Sequence, residues 1–332
     1  MINIILIDFN IQGTLPLKTI LEQRTKEEWR VFSQKSNHLH AGIIAKFLRF
    51  FWCFIFPLKI VLCRKRYKQI IGWQQFYGLN FAFWCHLFHL KKTNDLTVMT
   101  FIYKRKSGVA GLLYHKYMNY IVTSKYIDHF ICFAKEECQY YAELFGVNKQ
   151  KFVYVPLGMS MPKYNGEEDD GYIFATGRSN RDYDFLINSL VGTDFKCMIA
   201  CDTYKRKVCY KNITVLNDCY GDNMQVLMAK CHCVVIPLKN LKMSSGQLVV
   251  IQAMSLGKPV ICTNSDGIKD YVVDGVTGFL IENQQNQLLS ALNKLYDQDE
   301  TYNKMSVNSL ASYKNKFTED AMYNRIADIV NG

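Results

Sequence analysis

The chain has 332 residues, 49% of them hydrophobic, which is enough to fill two cores of ordinary domain size. Its formal net charge is +11, and residues 29–127 hold sixteen lysines and arginines against Asp95 alone. The twelve cysteines fall at irregular spacing with no Cys-x-x-Cys pair, and the start MINIILIDFN lacks a signal-peptide pattern. A secreted disulfide scaffold is therefore excluded, and reduced thiols in the cytosol are expected.

The opening INIILIDF has strand length. It is followed by the loop NIQGTL with Gly13, and then by a helical stretch from Pro16 to Glu28. Further strands are predicted at Ile70–Trp73, Thr97–Tyr103, His129–Phe133 and Lys151–Pro156, each separated by enough residues for a crossover helix. The stretch MSMPKYNGEEDDG after Gly158 has the Pro, Gly and charge of a linker. A second alternation then places strands at Tyr172–Ala175, Lys196–Ala200, Ile213–Leu216, Cys233–Pro237, Pro259–Cys262 and Gly278–Ile281, with a last helix at Glu319–Val330. The expected division is 1–160, 161–316 and a terminal helix over 317–332 that crosses back to the first domain.

The most apolar part of the chain, around LRFFWCFIFPLKIVLC, runs without a charge for only nine residues, Phe50–Leu58, and a span needs about twenty. Arg49, Phe51, Trp52, Arg64, Lys65 and Arg66 suit a helix lying in the plane of an anionic leaflet. The other reading is a core helix with its basic residues solvated. A nucleic-acid partner is not expected, because the aromatic residues form one apolar block instead of alternating with cations.

Two segments carry chemistry. In MSSGQLVVIQAMSLGKPVICTNSDGIKDYVVDGVTGFLI, residues 243–281, Ser244, Ser245 and Gly246 precede a helical run. The backbone amides of Gly246, Gln247 and Leu248 are thereby left free to hold a diphosphate, and a serine here could also act only as an N-cap. In YIFATGRSNRDYDFLINSL, a strand ends in Gly177-Arg178 with Arg181 close behind, and guanidinium groups bind phosphate oxygens in pairs. Asp182 reads as a helix cap. Cys231-His232-Cys233 alternates across a strand and cannot converge on a metal.

These two segments, with the Gly257-Lys258-Pro259-Val260 turn and the later Asp274-Gly275-Val276-Thr277-Gly278 turn, resemble the donor-binding part of family-4-like GT-B glycosyltransferases, glycosyl transferases group 1. The resemblance spans about residues 126–290. It implies an α/β fold of two Rossmann-like domains facing across a cleft, with Gly158 opening the interdomain linker. It also implies transfer of a sugar from a nucleotide-diphosphate sugar with retention at the anomeric carbon and no metal or other cofactor. By the same resemblance, Arg178, Arg181 and Ser244 stand at catalytic positions, and Gly177, Ser245, Gly246, Gln247, Leu248 and Gln252 at donor-binding ones. Ser244 and Gln252 occupy places where the family carries two glutamates, which leaves open a weakly active binding or scaffold protein. Gly13 and Tyr103 fall on the acceptor side, Tyr103 or Ile102 standing where relatives often have a histidine. With the basic first half, the resemblance points to a lipid-linked glycan acceptor in surface-polysaccharide assembly (capsule, O-antigen or exopolysaccharide). The expected location is cytoplasmic, peripheral on the inner face of the plasma membrane.

Overall fold

The computed structural model describes residues 1–35, 42–162, 168–205 and 210–332; part of the expected linker, 163–167, lies outside them. The chain divides into two compact units, Met1–Val155 with Tyr323–Gly332, and Pro156–Met322. The first division thus falls a few residues before the expected one. Gly158 lies inside the second unit, where a Cβ would sit 2.2 Å from the Thr318 carbonyl oxygen.

The first unit contains β1 (Ile2–Ile7), α1 (Pro16–Thr25), β2 (Trp29–Ser33), α2 (Ile43–Leu62), β3 (Tyr67–Gly72), α3 (Gln75–Leu87), β4 (Asp95–Val98), α4 (Gly108–Val122), β5 (His129–Cys132), α5 (Lys135–Phe145) and β6 (Phe152–Tyr154). Its six strands are parallel, in the order β2-β1-β3-β4-β5-β6. Right-handed crossovers then put α2 to α5 on one face of the sheet. The strand predicted over Thr97–Tyr103 stops at Val98, because Thr100 turns the chain with φ 54°.

The packing of α2 on α3 follows from one residue. Pro57 inside α2 has no N–H for the carbonyl four residues back, that of Cys53, and its ring also crowds the preceding turn. The buried Asn80 of α3 donates to Cys53 O at 2.8 Å, and Trp84 Nε1 donates to Phe54 O at 2.9 Å. Two carbonyls disturbed by the proline are thus satisfied by the neighbouring helix, which pins the two together.

The second unit contains β7 (Ile173–Thr176), α6 (Tyr183–Leu190), β8 (Cys197–Ala200), β9 (Ile213–Leu216), α7 (Gly221–Lys230), β10 (Cys233–Ile236), α8 (Gln247–Ser255), β11 (Val260–Thr263), β12 (Gly278–Ile281), α9 (Gln285–Asp297), α10 (Asp299–Ser312) and the start of α11 (Glu319–Asn331). Its six parallel strands run β12-β11-β10-β7-β8-β9. Counted from β7, this is the doubly wound dinucleotide-fold order, and its direction reverses between β7 and β10. The central strands are buried on both faces and read as unbroken apolar runs, CVVI in β10 and VICT in β11. The eleven described cysteines are all free thiols. Among the described residues, no helix is long and apolar enough to cross a membrane.

Candidate active site

A doubly wound sheet opens a crevice at the carboxyl ends of the two strands where its order reverses. In the second unit those strands are β7 and β10, and the loops leaving them are the two segments singled out in the sequence.

After β7 the chain turns at Gly177, whose φ of +115° suits glycine and whose missing Cβ makes room for the Arg181 guanidinium; a Cβ would lie 2.4 Å from Arg181 Nη2. Arg181 donates from Nε to Thr176 O at 2.9 Å and from Nη1 to Ser179 O at 2.8 Å. Burial lowers its pKa. Two of its N–H groups are thus held by the carbonyls of its own turn, which stiffens the loop from beneath.

Arg178 points outward, and its guanidinium is clamped by a residue that sequence reasoning passed over. Nε donates to Asp202 Oδ1 at 2.8 Å, and Nη2 lies 2.7 Å from Oδ2. Asp202 follows β8, the strand next to β7, so two adjacent strand ends supply the pair. The edge of the guanidinium that carries Nη1 remains for an anion.

After β10 the chain passes through Leu238–Ser245 into α8. Gly246, with φ +94°, immediately precedes the helix, and no side chain caps it. Neither serine is the N-cap: Ser245 is buried and donates to Met243 O at 3.3 Å. Gly246 is sterically required, since a Cβ would meet Ile268 Cδ1 at 3.0 Å and Ile236 Cγ2 at 3.1 Å. The amides of Gly246, Gln247 and Leu248 donate to no acceptor among the described residues. Along α8, Leu248 is exposed and Gln252 half-buried, one turn apart, while Val249, Val250, Ile251 and Ala253 are buried. Gln252 therefore lies on the accessible side of the helix. Gly267, from the loop after β11, seals the floor: a Cβ there would lie 2.8 Å from Ser244 Cα and 2.9 Å from Gln247 Nε2.

The two loops are stitched together by Asn180, also missed in the sequence. With a left-handed φ of 59°, it donates through Nδ2 to Ser245 Oγ and to Asn240 O, both at 2.9 Å, and accepts from Asn240 N at 2.8 Å. The only signal in the sequence is the residue type, since asparagine tolerates this backbone region better than most side chains. A second seam runs below it: Asp182 N donates to Pro237 O, and Asn283 Nδ2 donates to Leu238 O, both at 2.9 Å. Asp182 also caps α6, accepting from Phe185 N at 3.2 Å. His232 is engaged elsewhere, its ring nitrogens 2.7 Å from Asp169 Oδ2 and 3.0 Å from Leu295 O.

In the first unit the order reverses between β1 and β3. Gly13, φ +84°, lies in the loop after β1 with open space around it, and Gln74 Nε2, after β3, donates to Asp8 Oδ2 at 3.3 Å. Tyr103, expected on the acceptor side, is turned inward. It is 5% exposed, stacks on Tyr114 with ring centres 5.5 Å apart, and its hydroxyl lies 2.9 Å from His115 Nδ1. In this extended stretch alternate residues face opposite ways, and it is Ile102 that is exposed. The residues singled out for a membrane are also separated. Arg64–Arg66 form a turn at the amino end of β3, about 20 Å along α2 from Arg49. Phe51 is exposed, whereas Trp52 is half-buried against Lys59, whose Nζ is 5.5 Å from the ring centre.

Comparison with known proteins gives this geometry a context. Residues 205–311 match the family described as Glycosyl transferases group 1. An uncharacterised glycosyltransferase of Methanocaldococcus jannaschii is 25% identical over 162 residues, which is 46% of this chain and 45% of that protein. The match therefore spans less than half of the relative's length. HepE of Anabaena, solved with UDP, superposes with a TM-score of 0.65 at 14% identity, covering 99% of both chains. Sucrose-phosphate synthase of Thermosynechococcus elongatus also gives 0.65, at 15% identity, covering 99% of this chain and 98% of its own. The fold is that of the GT-B glycosyltransferases.

Proposed function

We propose that this chain, which carries a glycosyl transferases group 1 domain at residues 205–311, is a glycosyltransferase using a nucleotide-diphosphate sugar as donor. The observation that carries this reading is the Asn180–Ser245 hydrogen bond. Through it, the loop bearing Arg178 and the loop leading into the open amino end of α8 meet at one switch point. A diphosphate seated there would meet the outer edge of the Arg178 guanidinium and the amides of Gly246, Gln247 and Leu248. As the bond from sugar to diphosphate breaks, negative charge grows on the leaving group. Donors fixed in place stabilise that charge most at the transition state. Arg181 acts by holding the Gly177–Arg178 turn, Ser244 borders the sugar, and Gln252 offers its amide to the ribose.

The finer reading is retention at the anomeric carbon and a lipid-linked glycan acceptor, taken up by the first unit near Gly13. The chain would work in surface-polysaccharide assembly, peripheral on an anionic cytoplasmic leaflet. The cationic first half supports this, with sixteen basic residues against Asp95 between 29 and 127. A second reading, a nucleotide-sugar-binding protein of little catalytic power, draws on Ser244 and Gln252 in the places of two carboxylates and on the Arg178–Asp202 pair.

The test is calorimetric titration with a panel of nucleoside diphosphates, followed by transfer assays with their sugars on lipid-linked acceptors. Binding and turnover that both collapse in Arg178→Ala support the enzyme. Binding without turnover on any donor supports the second reading. Affinity indifferent to Arg178 rejects this site.

A further inference from the structure

Among the described residues, nothing covers one apolar face of the first unit, and the cause lies in helix lengths. α2, α3 and α4 lie side by side and all run from the carboxyl to the amino edge of the sheet. They are held at one level: Asn80 of α3 donates to Cys53 O of α2 and accepts from the Tyr117 hydroxyl of α4. From that level to its own start, α3 has five residues, α2 ten and α4 nine. At 1.5 Å per residue, α2 overhangs α3 by roughly 8 Å and α4 by about 6 Å.

The overhanging turns have no helix between them to pack on, yet they are apolar. On α2, Ile43 is 87% and Phe47 69% exposed, with Phe50 beside them; on α4, Val109 is 76% and Leu113 62% exposed, with Leu112 between. Isolated apolar side chains on a surface are ordinary, but six at the starts of the two helices that flank the shorter α3 mark an interaction site. Cations accompany them: Lys46 on α2, and Lys104 and Arg105 in the loop leading to α4, are exposed. Between Glu28 and Asp128 the one acidic residue, Asp95, stands at the opposite edge, where β4 begins, so the carboxylates that share this edge are Asp8 after β1 and Glu136 and Glu137 at the start of α5.

We infer that the amino-terminal turns of α2 and α4 form a two-pronged docking face for an anionic lipid surface. The inference rests on the membrane reading above and replaces its residues: Arg64, Lys65 and Arg66, at the far end of α2, take no part. Apolar side chains enter the acyl boundary while the cations stay at headgroup level, the arrangement that favours a charged leaflet over a neutral one. A second copy of the chain is a poor occupant, because it would bring the same cations against these.

The experiment is cosedimentation of the full chain with phosphatidylcholine vesicles with and without phosphatidylglycerol. The expected result is binding to the anionic vesicles that weakens with salt. It should fall about tenfold or more in Phe47→Glu/Leu112→Glu and stay within about twofold in Lys65→Gln/Arg66→Gln, where loss of two docking cations would cost more than tenfold. Circular dichroism melting of each variant excludes misfolding. Anionic binding that survives Phe47→Glu/Leu112→Glu but is lost in Lys65→Gln/Arg66→Gln overturns the face and leaves the membrane reading standing. No vesicle binding at all overturns both, and a dimer in solution that the same apolar substitutions dissolve overturns the face.

Discussion

Arg178 and Asp202 form a two-pronged ion pair across the carboxyl ends of β7 and β8, at 2.8 and 2.7 Å, and the cation proposed to meet a diphosphate is thereby already neutralised. An incoming phosphate must share the guanidinium with a carboxylate or displace it. Because the pair is solvent-facing, its own worth is about 0.2–1 kcal/mol, small beside what a desolvated diphosphate returns. Asp202→Asn is expected to tighten nucleoside diphosphate binding about two- to fivefold, and Arg178→Ala to lower kcat by about 10²–10³. Calorimetry and steady-state rates on the two variants check this; equal losses in both would mean the pair acts only as a structural clasp.

Asn180 contributes two separable things, a left-handed turn and a set of three hydrogen bonds. Asn180→Ala loses both, whereas Asn180→Gly keeps the turn without strain. The glycine variant should melt higher than the alanine variant by about 1 kcal/mol in stability. Both should weaken donor binding by a similar factor, about tenfold, since neither restores the bonds to Ser245 and Asn240. A glycine variant that binds donor like the parent would show that the backbone alone sets the loop.

At Gly246 a methyl group meets Ile236 and Ile268 at about the limit of contact, on a backbone that disfavours any side chain. Gly246→Ala is expected to cost about 2–4 kcal/mol of stability and to shift the start of α8, so that nucleotide affinity falls with it. Denaturant melts read the first effect and titration the second.

The first unit contains a carboxylate whose titration should be visible in stability. Glu27 accepts from Lys68 Nζ at 2.5 Å and from Asn3 Nδ2 at 2.7 Å, and the Lys68 contact, first among these, holds its carboxyl below the usual range. A depressed carboxyl stabilises the fold above the ordinary carboxylate pKa, and that contribution fades as pH falls through the lowered value. Glu27→Gln should therefore melt below the parent near neutrality, and the gap should close in acid. A gap independent of pH would assign the effect to packing.

Much of the fold was legible because parallel strands buried on both faces are short unbroken apolar runs. Ile213–Leu216 and Gly278–Ile281 begin and end where the sequence places them. The edge strand β2 was missed since WRVFS carries polar residues among the apolar ones. The strand at Thr97 was drawn too long because TVMTFIY stays apolar through a turn made by one backbone angle. At the site, glycines and the helix start showed themselves through local spacing. Asn180 and Asp202 did not, because their meaning lies in partners that are 60 and 65 residues distant for Asn180 and 24 for Asp202. Nearness of Arg181 to Arg178 in the chain likewise does not reveal that two of its N–H groups are held by the carbonyls of their own turn.

The close approach of Gly267 to Ser244 makes the floor of the crevice a contact of main chain on main chain. Its contour there is set by backbone, with the Gln247 side chain packed beside it. The charge at residues 244 and 252 can change while this backbone contact is kept. Affinity and donor preference can thus be retuned by single substitutions at the rim, and no rebuilding of the scaffold has to accompany them.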